Sequence, residues 1–148
     1  MMVITAGDEG VERAALRAAR SVGIRTAGMS VSPSIHAQMQ FGLAPVNSLA
    51  PADADEMNVL GSGGCLCLGQ PNKRTCSIKQ LCATSGKPYY QLTDFQQRNA
   101  PAMLRLWVQR NKVQKLLVCG QTEKQAPGIG LAVEYFLQEV LPLCRPSV

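Results

Sequence analysis

The stretch Gly64-Cys65-Leu66-Cys67-Leu68-Gly69 is an unbroken apolar run between two glycines. Successive side chains of an extended strand point to opposite faces, so such a run is apolar on both. A strand of this kind has to be covered on both sides, as in the middle of a parallel sheet with helices above and below. Lys115-Leu116-Leu117-Val118-Cys119 and Met2-Val3-Ile4-Thr5-Ala6 repeat the pattern. Ile4, Leu66, Cys67, Leu117 and Val118 are therefore expected to be buried in central parallel strands.

Helical periodicity fills the intervals. Val11, Ala14, Ala15, Ala18, Ala19 and Val22 recur at helical spacing before Gly23. Thr75 to Ser85 is closed by Gly86, and Ile129 to Leu141 follows Pro127 with an apolar stripe. Asp94 is a candidate cap for a helix carrying Met103, Leu104, Trp107 and Val108. Further strands are expected at Ile24 to Met29 and at Pro88 to Leu92. Residues 30–50, broken by Pro33, Gly42, Pro45 and Asn47, read as a long loop with one helical turn at most. Strands alternating with helices give an α/β chain: a Rossmann-like three-layer fold, 1–148, with a mostly parallel sheet of about five strands.

Composition narrows the function classes. Fifteen Lys and Arg against ten Asp and Glu give a net charge of +5. The basic residues are scattered and not interleaved with aromatics, which argues against a nucleic-acid surface. The first residues carry no basic-then-apolar leader, and no run approaches the roughly 20 apolar residues that span a bilayer. A cytoplasmic protein with no membrane partner is expected. Of the six cysteines, Cys65, Cys67 and Cys119 lie in strand runs and read as small core residues. The spacing of the six suits neither a zinc site nor a disulfide framework, so all are expected to be reduced.

Ligands of open parallel sheets bind at the carboxyl ends of the strands. Three loops fall there. The first is Ala6-Gly7-Asp8-Glu9-Gly10, leading into a helix that carries Arg13. The second runs from Gly69 through Asn72, Lys73, Arg74 and Thr75. The third runs from Gly120 through Gln121 and Thr122 to Gly128. Glycines admit close approach of backbone N–H groups, and helix amino ends favour anions. The plainer account is that strand-to-helix turns need glycine and polar residues anyway.

The stretch Ile4-Thr5-Ala6-Gly7-Asp8-Glu9-Gly10-Val11-Glu12-Arg13-Ala14-Ala15-Leu16 resembles the opening of the molybdenum carrier proteins, a branch of the Rossmann-like nucleotide-sensor superfamily. Asn58-Val59 through Gly69, Ser85-Gly86-Lys87-Pro88-Tyr89, Val118-Cys119-Gly120 and Ala126-Pro127-Gly128-Ile129 are similar to its later segments, in order. The resemblance implies an oligomeric carrier of molybdenum cofactor or a related phosphorylated pterin or nucleotide. It also carries departures. Gly7-Asp8-Glu9 stands where the family has Gly-Gln-Thr, and Asn72-Lys73-Arg74-Thr75 where it has Ser-Gly-Gly-Thr. The family's Arg near Gln121 and Thr122 is missing.

Two carboxylates in an anion-binding loop are unfavourable: like charges at 4 Å repel by about 4 kcal/mol at an effective dielectric of about 20. Either Lys73 and Arg74 neutralise a phosphate while Asp8 and Glu9 face another part of the ligand, or the four pair across the cleft and fill it. Both loops follow strands expected to lie near each other and both start helices at the ligand-facing edge, so Asp8 or Glu9 is expected within salt-bridge reach of Lys73 or Arg74. A hydrolase reading is weaker. The related lysine-decarboxylase-like phosphoribohydrolases carry Pro-Gly-Gly-x-Gly-Thr-x-x-Glu at the second loop; Pro71 and Thr75 match, but the glycines and the Glu do not. Cys76, beside Lys73 and Arg74, has no histidine near it in sequence. No catalytic and no metal-ligating residues are assigned.

Overall fold

The computed structural model describes residues 1–145. Its strands are β1 (Met2–Ile4), β2 (Arg25–Ser30), β3 (Leu43–Pro45), β4 (Gly64–Leu68), β5 (Tyr89–Leu92) and β6 (Lys115–Gly120). The helices are α1 (Val11–Ser21), α2 (Ile35–Phe41), α3 (Pro51–Leu60), α4 (Lys73–Ser85), α5 (Ala100–Arg110) and α6 (Ile129–Val140). All strand pairings are parallel, and the order is β3-β2-β1-β6-β4-β5. The chain after β1 crosses outward to β2, the chain after β4 crosses outward to β5 the other way, and β6 lies between β1 and β4.

Each face of the sheet has its own core. Val3, Leu66, Leu68, Leu116 and Val118 pack against α1, α5 and α6. Ile4, Cys65, Cys67, Leu117 and Cys119 pack against Val59 of α3 and Ile78 and Cys82 of α4. This two-sided burial is what the apolar runs require. Half of the second core is thiol: Cys65 and Cys119 bring their Sγ atoms to 3.7 Å, and all six cysteines are free. Contact with Cys119, then burial, pushes the Cys67 thiol far up, which leaves it a core atom and not a nucleophile.

The sheet has six strands, where about five are expected from the sequence. The sixth, β3, lies with α2 inside the segment read as loop. Ser34 caps α2 by accepting from the Ala37 amide, and Gly42 ends it in the left-handed region. Ala37 and Phe41 then pack with Leu43 on Leu16 of α1. Asp94 does not cap α5, which starts at Ala100 with Pro101 in its first turn.

Beyond the Ile4–Ala27 pair, β1 and β2 part. At the parting the two backbones are in close contact: the φ of Gly28 is 151°, and a Cβ there would lie 1.7 Å from the Thr5 carbonyl oxygen, so glycine is what lets the end of β1 pass. Past the split, the buried Asn58 of α3 takes the place of a neighbouring strand. Its Oδ1 accepts from the Met29 amide at 2.7 Å, and its Nδ2 donates to the Met29 carbonyl at 3.0 Å. The gap so opened leads to the carboxyl edge between β1 and β2.

Gly28→Ala is expected to cost about 3 kcal/mol or more, since the clash is with backbone. Gly86→Ala, at φ 69° with nothing within 4 Å, is expected to cost about 1 kcal/mol. Urea unfolding of the two variants checks the contrast.

Candidate functional site

Arg74, the second residue of α4, is the centre of the carboxyl edge. Its Nε and Nη2 donate to the two Asp55 oxygens of α3 at 3.1 and 2.8 Å. Its Nη1 donates to Asp8 Oδ2 at 2.8 Å and lies 2.8 Å from Glu12 Oε2 of α1. One guanidinium thus joins the β1–α1 loop, α1, α3 and α4. Asp8 is the loose partner, with 58% of its side chain exposed, against 3% for Glu12 and 8% for Asp55. Burial works against charge on Arg74, but the Asp55 hydrogen bonds and the charges of Glu12, Asp55 and Asp8 outweigh it and hold the guanidinium protonated. Burial pushes the Glu12 carboxyl up to about 7, against the pull of Arg74 and with help from Asp8.

The pairing of Asp8 with Arg74 is the one expected between the first and second loops. Glu9 instead faces Arg13 at 3.5 Å and is mostly exposed. Lys73 is exposed and makes no ion pair among the described residues. The strands preceding the two loops are not neighbours, because β6 separates β1 from β4. The gap is roughly 10 Å, and a long arginine bridges it.

The other candidate residues are brought together and are bonded largely to one another. Gly10 bridges Thr122, with Val11 N donating to Gln121 O at 3.1 Å and Glu123 N to Glu9 O at 3.1 Å. A Cβ on Gly10 would lie 2.6 Å from Gln121 O, and one on Gly120 would lie 2.6 Å from Leu68 O. Both glycines therefore serve close backbone approach within the fold. Gly7 turns at φ 84°, and its carbonyl accepts from Arg13 Nε at 3.0 Å. Gln121 Oε1 accepts from the Gln70 amide at 3.0 Å, and Gln125 Oε1 from Asn72 Nδ2 at 3.1 Å.

The helix amino ends are also satisfied from within. Asn72 and Thr75 form a reciprocal capping box on α4. Glu123 accepts from the Gly128 and Gly130 amides at 2.6 and 3.0 Å, so its carboxylate sits at the amino end of α6. Ahead of α1, Glu12 Oε1 accepts from the Asp8 amide at 3.2 Å. Glu12, Asp55 and Glu123 were not among the candidates from sequence. Each lies at an ordinary helix-start or turn position, where a carboxylate is common, and only their convergence marks them.

One cleft of about 230 Å³ remains open beside this network, lined by Ala6, Asp8, Ser30, Ser32, Ala54 and Arg74 among others. It lies where β1 and β2 part, and Ser30 and Ser32 come from the segment read as loop. Among the described residues, no helix is long and apolar enough to cross a membrane.

An all-parallel sheet between two layers of helices, with one charged cleft at its carboxyl edge, defines a Rossmann-like α/β protein. Residues 3–141 match the circularly permutated YpsA SLOG family, and the chain belongs to that family. It is similar over 94% of its length, at 22% identity and a TM-score of 0.82, to a crystal structure from Syntrophus aciditrophicus described as a "Putative molybdenum carrier protein", 92% of which is covered. That likeness establishes the fold. No curated protein matches the chain.

Asp55→Ala would leave the 29% exposed Arg74 without its bidentate partner and is expected to cost about 3 kcal/mol. Asp8→Ala, at the exposed end, is expected to cost at most about 1 kcal/mol. Thermal melts of both variants test this order. Glu12 gives a pH signature. Its folded value of about 7 lies above the ordinary 4.5, so the folded chain keeps a proton that the unfolded chain loses. The stability this provides is complete below pH 4.5 and is lost as pH rises through about 7. Relative to Glu12→Gln, the unsubstituted protein should lose about 3 kcal/mol over that window, measured by urea melts at pH 4.5 and 8.

Proposed function

We propose that this chain is a binding protein for a small phosphorylated molecule, with no catalytic role, and that its phosphate subsite is closed at rest by its own carboxylates. The observation that carries the reading is that Asp8, alone among the partners of Arg74, is mostly exposed, and that both residues line the 230 Å³ cleft. A phosphate can exchange with Asp8 on Arg74 Nη1 while Asp55 keeps the guanidinium in place. A charge-assisted N–H bond from arginine to a phosphate oxygen is a strong one. The Ser30 and Ser32 hydroxyls are at hand in the cleft for the remaining oxygens.

The size of the cleft limits the ligand. Drug-sized ligands occupy pockets of about 300–1,000 Å³, so 230 Å³ suits a phosphate with a small organic group. Molybdenum cofactor or a whole nucleotide would reach beyond this volume into solvent, so the cleft is read as the seat of the phosphate end alone. The name of the structural neighbour makes molybdate, a tetrahedral oxyanion like phosphate, a natural comparison.

The second reading is a permanently filled site that acts through protein contacts. It is favoured by the internal capping of α4 and α6. Thermal shift with a panel of small phosphate esters, inorganic phosphate and molybdate separates the two, because a ligand that binds only the folded state raises the melting temperature. Binding predicts a dose-dependent rise that Asp8→Asn enlarges and Arg74→Gln removes. No shift with any of them, in either the unsubstituted protein or Asp8→Asn, favours the filled site.

A further inference from the structure

We infer that Glu12 is the specificity-determining residue of this cleft: the site accepts a tetrahedral oxyanion only together with one proton, which is held on the Glu12 carboxyl. The inference rests on the binding reading above and deepens it.

Two carboxylates share one nitrogen of Arg74. Arg74 Nη1 has two hydrogens. One is donated to Asp8 Oδ2 at 2.8 Å, and Glu12 Oε2 lies as close to the same nitrogen, 2.8 Å away, as an ion-pair contact. The remaining nitrogens are held by Asp55. An incoming oxyanion can displace only Asp8, which is exposed and free to turn into solvent. Glu12 has no such freedom. It is buried, and its second oxygen is fixed by the Asp8 amide at 3.2 Å. The oxyanion therefore comes to rest on the same nitrogen as the Glu12 carboxylate, in place of Asp8 but with more charge. The charged and titratable groups facing Glu12 are Arg74 from α4, Asp8 from the β1–α1 loop, Asp55 from α3 and Cys119 from β6. Arg74 is the one cation among them, and its charge is already shared by three carboxylates. Protonating Glu12 removes the repulsion without moving any backbone. Burial has already brought its carboxyl to about 7, so the proton is available at neutral pH.

The balance is one anion and one proton in, with Asp8 released from Nη1 and no bond to carbon made or broken. A ligand that arrives as a protonated phosphate ester brings the proton itself; a dianion takes it from water. Neutral or cationic ligands gain nothing from the arrangement.

Sulfate is the probe, since it is a tetrahedral dianion that does not titrate between pH 5.5 and 8.5. Isothermal calorimetry of the full chain, in buffers of different ionisation enthalpy, should find proton uptake of about one half per sulfate at pH 7, rising toward one at pH 8. Sulfate affinity should fall toward tenfold per pH unit above 7. Glu12→Gln should bind with no proton uptake and a flat pH profile. Asp8→Asn keeps Glu12 and removes the competing carboxylate, so below pH 7 it should bind more tightly and still take up a proton, with the fall in affinity beginning at a lower pH because Asp8 helps to hold the Glu12 carboxyl up; it also serves where the glutamine variant folds poorly. Sulfate binding with no proton uptake, or equal slopes with and without Glu12, overturns the inference and leaves the binding reading standing. No sulfate binding at any pH, even by Asp8→Asn, overturns both.

Discussion

The carboxyl edge of this protein depends on a single charge. Arg74 holds four separate parts of the chain, and three carboxylates face it where a ligand-binding edge of this fold would hold an anion. The arrangement decides what else can happen there. Because Asp55 takes the Nε–Nη2 side of the guanidinium, the α3 and α4 amino ends are fixed to each other. Because Glu12 and Asp8 share the Nη1 side, the β1–α1 loop is fixed to the same point. Asp8 and Asp55 both add to the rise of the Glu12 carboxyl, so the cluster acts as a unit.

The altered loop residues make sense together in this light. Asp8 in the first loop and Arg74 in the second, each a departure from the pattern the chain resembles, meet at 2.8 Å. An arginine in place of a glycine in the second loop would bring an unpaired cation to the edge, and an acidic residue in the first loop would bring an unpaired anion. Side by side each offsets the other. Glu9 and Lys73, the neighbouring departures, do not join them: Glu9 turns to Arg13, and Lys73 stays exposed without an ion pair.

How much was legible beforehand follows from which signals are local. Leu66, Cys67, Leu117 and Val118 could be placed because a strand apolar on both faces has few other homes, and they are buried in β4 and β6. Strand β3 could not. Leu43-Ala44-Pro45 is three residues long, ends in proline, and pairs only at the sheet edge, where a missing N–H is tolerated. Its identity comes from Leu43 packing with Phe41 and Leu16, a tertiary contact. The site divides in the same way. The glycine-bearing loops announce themselves, whereas Glu12 and Asp55 stand in helices where a carboxylate needs no special reason.

Those same loops also explain why a recognisable ligand edge can be internally satisfied. Glycines such as Gly10 and Gly120 carry the signature of close backbone approach, and a ligand phosphate is one thing that can make it. Here the approach is made by Gln121 O to Gly10 and by Leu68 O to Gly120. The Gln121 side chain and Glu123 then take up amides at Gln70, Gly128 and Gly130. With these donors occupied, the chemistry left to the edge concentrates at the gap between β1 and β2. That gap lies just past the close Gly28–Thr5 contact, where the Asn58 side chain and not a strand takes up the Met29 backbone groups. The position of the cleft thus follows from where strand pairing ends in the sheet, and its charge follows from the carboxylates that share Arg74.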